Sequence, residues 1–177
     1  MQRTHRPTSH KHAPMQPYQG AVRRAQGKHV EAYIDLSLRY YEQRGEAVVE
    51  KTPEPMRPTK DLGNGKFIAY YEKAAQPDYK GTLKGGRAVV FEAKYTHSAQ
   101  MEQSRVTREQ AARLDDHLAA GAMCFVVAGF GSGDVFRVPW DVWRDMKTHF
   151  GHKYVTPEEL EAYKVPLGRN GVLLLLD

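Results

Sequence analysis

The sequence predicts an α/β domain built around a mixed sheet with helices on its flanks. Two patterns carry this expectation. Stretches of helical period alternate with short runs of β-branched and aromatic residues, and one run, 122–128, is apolar almost throughout, as a strand covered on both faces must be. A chain of 177 residues with 41% hydrophobic content is long enough for one domain with its own core.

The elements follow in order. Val30, Ile34, Ser37, Leu38 and Tyr41 share about one third of a helical wheel, which predicts a helix from Val30 that Gly45 ends. Ala47-Val48-Val49 reads as a short strand. It runs into Thr52-Pro53-Glu54-Pro55-Met56-Arg57-Pro58, where the prolines exclude helix and interior strand. Gly63-Asn64-Gly65 marks a turn and Phe67 to Tyr71 a strand after it. The stretch 53–77 is long for a core connection, and Arg57, Lys60, Lys66, Tyr70, Tyr71 and Lys73 favour a projecting element that touches nucleic acid; an ordinary hairpin with a solvated face is the alternative.

Ala88 to Lys94 reads as the next strand, 98–102 as a polar loop, and Gln103 to Ala119 as a helix closed by Gly121. After the buried strand, in which Cys124 is expected to be an inert core residue, Gly131-Ser132-Gly133-Asp134 turns into a strand at Val135 to Val138. A helix is expected from Trp140 to Phe150 and a short one from Thr156, where Thr156-Pro157-Glu158-Glu159 forms a capping box. A last strand is expected in the apolar run Val172 to Leu176.

Charge is distributed unevenly. Residues 1–28 hold six Lys/Arg, among them Arg23 and Arg24, and no acid, while the rest holds 20 basic and 21 acidic residues. The formal +5 therefore resides in a basic N-terminal arm, taken as mobile over 1–22 and suited to a polyanion, with one domain over 23–177. A solubilising tail is the alternative for its first twenty residues. The N-terminal stretch lacks an apolar signal segment, no run approaches the length of a membrane span, and Cys124 has no disulfide partner; together these predict a cytoplasmic protein that does not meet the membrane.

Three acid-x-Lys triplets occur: Asp78-Tyr79-Lys80, Glu92-Ala93-Lys94 and Asp145-Met146-Lys147. Side chains two apart share a face on a strand and diverge by about 200° on a helix, so Asp145 and Lys147 cannot converge whereas Glu92 and Lys94 can. Val89, Phe91 and Ala93 fill the opposite face, which leaves two charges on an inner surface, a costly placement without compensation. A plain ion pair at a sheet edge is the alternative. Asp78 weighs against it: if 79–83 pairs antiparallel with 87–93 through a turn at Lys84-Gly85-Gly86, then 83 lies opposite 87 and Asp78 opposite Glu92. Two adjacent carboxylates repel unless a cation lies between them. Asp78, Glu92 and the Ala93 carbonyl are hard oxygen ligands suited to Mg²⁺, with Mn²⁺ as a substitute, and Lys94 could hold a water or a developing anion. Gln110 falls on the helical stripe Val106, Gln110, Leu114 and needs partners there, either in the site or on nearby backbone. Glu31 flanks the first helix's apolar stripe; on pattern alone it reads as an exposed helix glutamate.

The ordered set Gly27-x-x-x-Glu31, Ala47-Val48-Val49, Thr52-Pro53-x-Pro55, Ala69-Tyr70-Tyr71, Asp78-Tyr79-x-Gly81, Lys84-Gly85, Phe91-Glu92-Ala93-Lys94-x-Thr96, Gln110 and Gly121-x-x-Cys124-Phe125-Val126 resembles the RecU-type Holliday junction resolvases, over about residues 23–165. The acid spacing is similar to the restriction-endonuclease-like nucleases at large. The resemblance implies a restriction-endonuclease-like fold with a protruding stalk at 56–76, and a homodimer that cuts two opposed strands of a four-way DNA junction in recombination and repair. It implies Mg²⁺ bound through Asp78 and Glu92, with Lys94 and Gln110 assisting and Glu31 nearby, and DNA contacts through the stalk. The charge of the arm adds Arg23 and Arg24 as expected DNA contacts, and recombination proteins are further expected partners. The context Arg108-Glu109 before Gln110 departs from the family's pattern. A nuclease for duplex DNA or DNA ends and a non-catalytic junction-binding module are the competing readings.

Overall fold

The computed structural model describes residues 17–53, 55–71 and 76–177, with side chains from Val30 onward except Tyr71. In chain order the elements are α1 (Pro17–Gln43), β1 (Ala47–Lys51), β2 (Met56–Gly63), β3 (Lys66–Tyr71), β4 (Tyr79–Leu83), β5 (Ala88–Thr96), β6 (Met101–Glu102), α2 (Arg108–Ala119), β7 (Met123–Phe130), β8 (Val135–Pro139), α3 (Trp140–Arg144), α4 (Met146–Phe150) and β9 (Tyr154–Val155). The central sheet has the order β1-β4-β5-β7-β8. Only β5 and β7 run parallel, joined by the crossover that contains α2, so the sheet is mixed and flanked by helices as expected.

Strand alternation divides the core in two. Val89, Phe91, Phe125 and Val127 face α1, where they meet Val30, Ile34 and Leu38. Val90, Cys124, Val126 and Ala128 face the other way, toward Leu114 of α2 and Trp140, Trp143 and Met146 of α3 and α4. All five positions of the predicted helical stripe, Ser37 included, are buried. The rings of Tyr79, Phe91 and Phe125 stack in one row across β4, β5 and β7 at centroid spacings of 4.7 and 4.6 Å. That row locks three strands into register immediately beside the position of Glu92. Gly81 brings β1 and β4 together, since a Cβ there would overlap the Val48 carbonyl oxygen.

Several expectations shift. The first helix begins at Pro17, not Val30, so its opening turns overlap the arm expected over 1–22; residues 1–16 lie outside the described part. Proline fits a first helical position because it lacks only an N–H that would have no partner there. The helix expected from Gln103 is a short 3₁₀ turn at Gln103–Arg105, and α2 starts at Arg108, because Thr107 caps it in a reciprocal box with Gln110. Within the expected 98–102 loop, Met101 and Glu102 pair with β9.

The helix expected over Trp140 to Phe150 is two helices, broken where Asp145 leaves helical dihedrals. At Thr156 the capping bonds with Glu159 form, yet the chain makes only turns and a 3₁₀ segment at Glu161–Tyr163. The final apolar run is no strand. Its backbone makes only an isolated bridge, Leu167 to Leu173, with Gly168 N–H donating to the Val172 carbonyl and Leu174 N–H to the Pro166 carbonyl. Side chains hold the rest: Ser37 Oγ donates to the Leu173 carbonyl at 2.6 Å, Arg137 donates to the Leu175 carbonyl, and Tyr41 accepts from Leu176 N–H while donating to Asp177 Oδ1.

The segment expected to project is a hairpin. β2 and β3 form a two-stranded sheet of their own, turning through Gly63, Asn64 and Gly65 at positive φ, with register shifts between Pro58 and Lys60 and between Asp61 and Gly63. Every residue of β2 is exposed, and so are Phe67, Ile68 and Tyr70 of β3. Among the described residues no helix is long and apolar enough to cross a membrane.

Candidate active site

The site forms where β4 enters the sheet and β5 leaves its core. Tyr79 lies opposite Phe91 and Lys80 opposite Val90, so the ladder extended by one residue sets Asp78 opposite Glu92, as counting outward from the turn predicts. Ala93 N–H donates to Asp78 Oδ2 at 2.9 Å, which ties the aspartate to the neighbouring strand. Lys94 Nζ donates to Glu92 Oε2 at 2.8 Å and reaches Asp78 Oδ2 at 3.5 Å. One ammonium thus bridges two carboxylates.

Glu92 is 0% exposed. Burial, then the nearby Asp78 charge, pushes its carboxyl up to about 8 against the pull of Lys94. Gln110 supplies the next contact by using both ends of its amide. Its Oε1 accepts from Thr107 N–H at 3.1 Å, and its Nε2 donates to Glu92 Oε2 at 2.5 Å. The two alternatives for Gln110, site and backbone, are therefore both realised. Glu92 Oε2 accepts both the Lys94 and the Gln110 bonds, while Oε1, equally buried, accepts none; a hydrogen bond with Asp78 is among the causes that favour the protonated carboxyl.

The environment fits a hard divalent cation: an unpartnered buried carboxylate oxygen lies beside a second carboxylate whose charge opposes ionisation of the first. Among the described residues no group of three or more His, Cys, Asp or Glu side chains gathers, so the acidic contribution would be Asp78 and Glu92 alone. A small acidic set completed by waters is what Mg²⁺ favours.

Glu31 stands apart from this cluster. It pairs with Lys51 at 2.6 Å and is 43% exposed, yet it lines the same groove, of about 510 Å³, as Lys94 and the segment Tyr95 to Ser98. The other acid-x-Lys triplets disperse: Lys80 bonds Gln76 and Asp145 pairs with Arg144. Cys124 is buried, and burial pushes its thiol up to about 11, consistent with an inert core residue. Of the expected DNA contacts, Arg57, Lys60 and Lys66 are exposed on the hairpin. The side chains of Arg23, Arg24 and Tyr71, and all of Lys73, lie outside the described residues. In the sequence Thr52 stands out only as part of a proline motif, although pairing β1 with β4 sets it opposite Asp78.

A mixed sheet that holds a lysine-bridged carboxylate pair, its lysine bordering a groove, defines an α/β domain with a charged cluster at the end of its sheet. Residues 25–176 match the RecU family, described as Recombination protein U, and the chain belongs to that family. It is 32% identical over 112 residues to the Holliday junction resolvase RecU of Streptococcus gordonii, covering 60% of this chain and 56% of that protein. With the Holliday junction resolvase RecU of Geobacillus kaustophilus it shares 25% identity over 154 residues, covering 80% of this chain and 76% of the relative. The chain thus spans little more than half the length of the streptococcal relatives it matches. Among solved structures, Archaeoglobus fulgidus Hjc, a Holliday junction resolvase, aligns at a TM-score of 0.46 and 11% identity, over 82% of this chain and 95% of that one.

Proposed function

We propose that this protein is a Mg²⁺-dependent endonuclease that resolves four-way DNA junctions, acting as a homodimer whose two sites nick opposed strands. The observation that carries the reading is the Asp78–Glu92–Lys94 cluster with its unpartnered, buried Glu92 oxygen. Family membership and the names of the relatives support the junction as substrate.

Asp78 and Glu92 would hold the cation, which when bound supplies an acidified water and offsets charge on the scissile phosphate. Among the described residues, Lys94 is the cation that pairs with both carboxylates. Its ammonium is fixed by both carboxylates and borders the groove, so it can counter charge that grows on a phosphate without reorganising. Gln110 holds the Glu92 carboxylate in place through Oε2 and leaves Oε1 free. Glu31, on the rim of the same groove, assists from outside the cluster. Arg57, Lys60 and Lys66 supply phosphate contacts from the exposed hairpin.

A synthetic four-way junction labelled on each strand in turn tests this. In Mg²⁺ the chain should nick two opposed strands symmetrically and leave linear duplex of the same sequence intact at equal salt. Equal cutting of the linear duplex would contradict junction resolution and favour a general nuclease.

A further inference from the structure

A single row of side chains crosses the first three strands of the sheet at the site. Lys51 of β1 lies opposite Tyr79 of β4, which lies opposite Phe91 of β5, so the adjacent row is Thr52, Asp78, Glu92. Thr52 N–H donates to the Asp78 carbonyl at 2.8 Å, extending the β1–β4 ladder by that one step. Opposed residues of antiparallel strands project to the same face. Lys51 points toward α1, where it meets Glu31, and Thr52 therefore points to the face that carries the carboxylates.

Among the described residues, two buried side-chain polar atoms lack a hydrogen-bond partner: Thr52 Oγ1 and Glu92 Oε1. They flank Asp78 in this one row. A buried hydroxyl without a partner is unfavourable, and nothing in strand formation requires it, since valine has the same shape and a high β propensity. We propose that Thr52 belongs to the cation-binding set, its hydroxyl oxygen being a third donor beside Asp78 and Glu92. This rests on the reading of Asp78 and Glu92 as metal ligands and assigns the site a residue from a third strand. Hydroxyl, carboxylate and carboxylate form a set of hard oxygens from the exit of β1, the entry to β4, and β5, so the cation would tie these three neighbouring strands together.

The test is Mn²⁺ binding to the DNA-free chain by calorimetry, for wild type, Thr52→Val, Thr52→Ser and Asp78→Asn, with melting temperatures recorded in chelator. Thr52→Val should weaken Mn²⁺ by about tenfold or more, Thr52→Ser should remain within about threefold of wild type, and Asp78→Asn should abolish measurable binding. In chelator Thr52→Val should melt at or above the wild-type temperature, because it removes an unsatisfied group. If Asp78→Asn binds Mn²⁺ like wild type, the metal site itself is wrong and Thr52 falls with it. If Asp78→Asn loses binding while Thr52→Val keeps it, Thr52 alone is excluded. A Thr52→Val chain that does not fold would also overturn the proposal, since it would show that the hydroxyl already makes an essential bond within the protein.

Discussion

Glu92 concentrates the energetics of the site. A carboxylate with no exposure is expensive to ionise, and the single ammonium of Lys94 and the amide of Gln110 address only one of its oxygens. Its folded-state pKa near 8 exceeds the ordinary 4.5, so without metal the folded chain binds the proton more tightly than the unfolded chain. The resulting stabilisation is complete below the unfolded value and lost as pH rises through about 8, with a size on the order of a few kcal/mol. In chelator, the wild-type melting temperature should therefore fall between about pH 5 and pH 8 more steeply than that of Glu92→Gln, which cannot ionise. Parallel curves for the two proteins would refute the assigned burial cost. This residue was legible in the sequence because two charges alternated with Val89, Phe91 and Ala93 on one strand. Thr52 was not, because a threonine beside prolines carries no such contrast until β1 is paired with β4.

Elements were legible to the extent that local chemistry decided them. The turn at Lys84-Gly85-Gly86 sets the β4–β5 register, since Gly85 and Gly86 take positive φ and the count outward brings Asp78 level with Glu92. Helix starts were less accessible: Thr107 and Gln110 cap α2 reciprocally, and only that pairing explains why 103–107 stays outside the helix. The apolar run at 172–176 pairs only at an isolated bridge to Leu167, because Ser37 and Tyr41 of α1 and Arg137 of β8 bond backbone groups that a longer strand would have given to a neighbour. The proposed DNA contact of the hairpin rests on Arg57, Lys60 and Lys66, exposed on a two-stranded sheet that pairs with itself. Reversing all three charges should lower junction affinity at fixed salt and reduce the slope of log affinity against log salt by about one for each phosphate no longer neutralised. Melting should be unchanged. An unaltered slope would remove the hairpin from the DNA interface.

For the molecule as a whole, the sheet separates two functions. Its α1 face is a buried apolar layer built on the Tyr79–Phe91–Phe125 stack, which fixes strand register. Its other face begins as core under α2 and ends, at the open end of β5, as the charged cluster. Rigidity on one side is what allows unfavourable charges to be held in place on the other. The α/β class was readable from alternation and from the apolar run at 122–128, while the assignment of each face needed the pairing of all five strands.

The most direct measurement is single-turnover cleavage of a four-way junction in Mg²⁺ by Asp78→Asn beside wild type, with junction affinity measured on the same preparations. The variant should bind the junction as tightly as wild type and cut it at least about a hundredfold more slowly, because the loss falls on one carboxylate of the proposed metal pair and not on the proposed DNA-contacting surface. Cleavage at the wild-type rate would contradict the assignment of Asp78, Glu92 and Lys94 as the reactive centre.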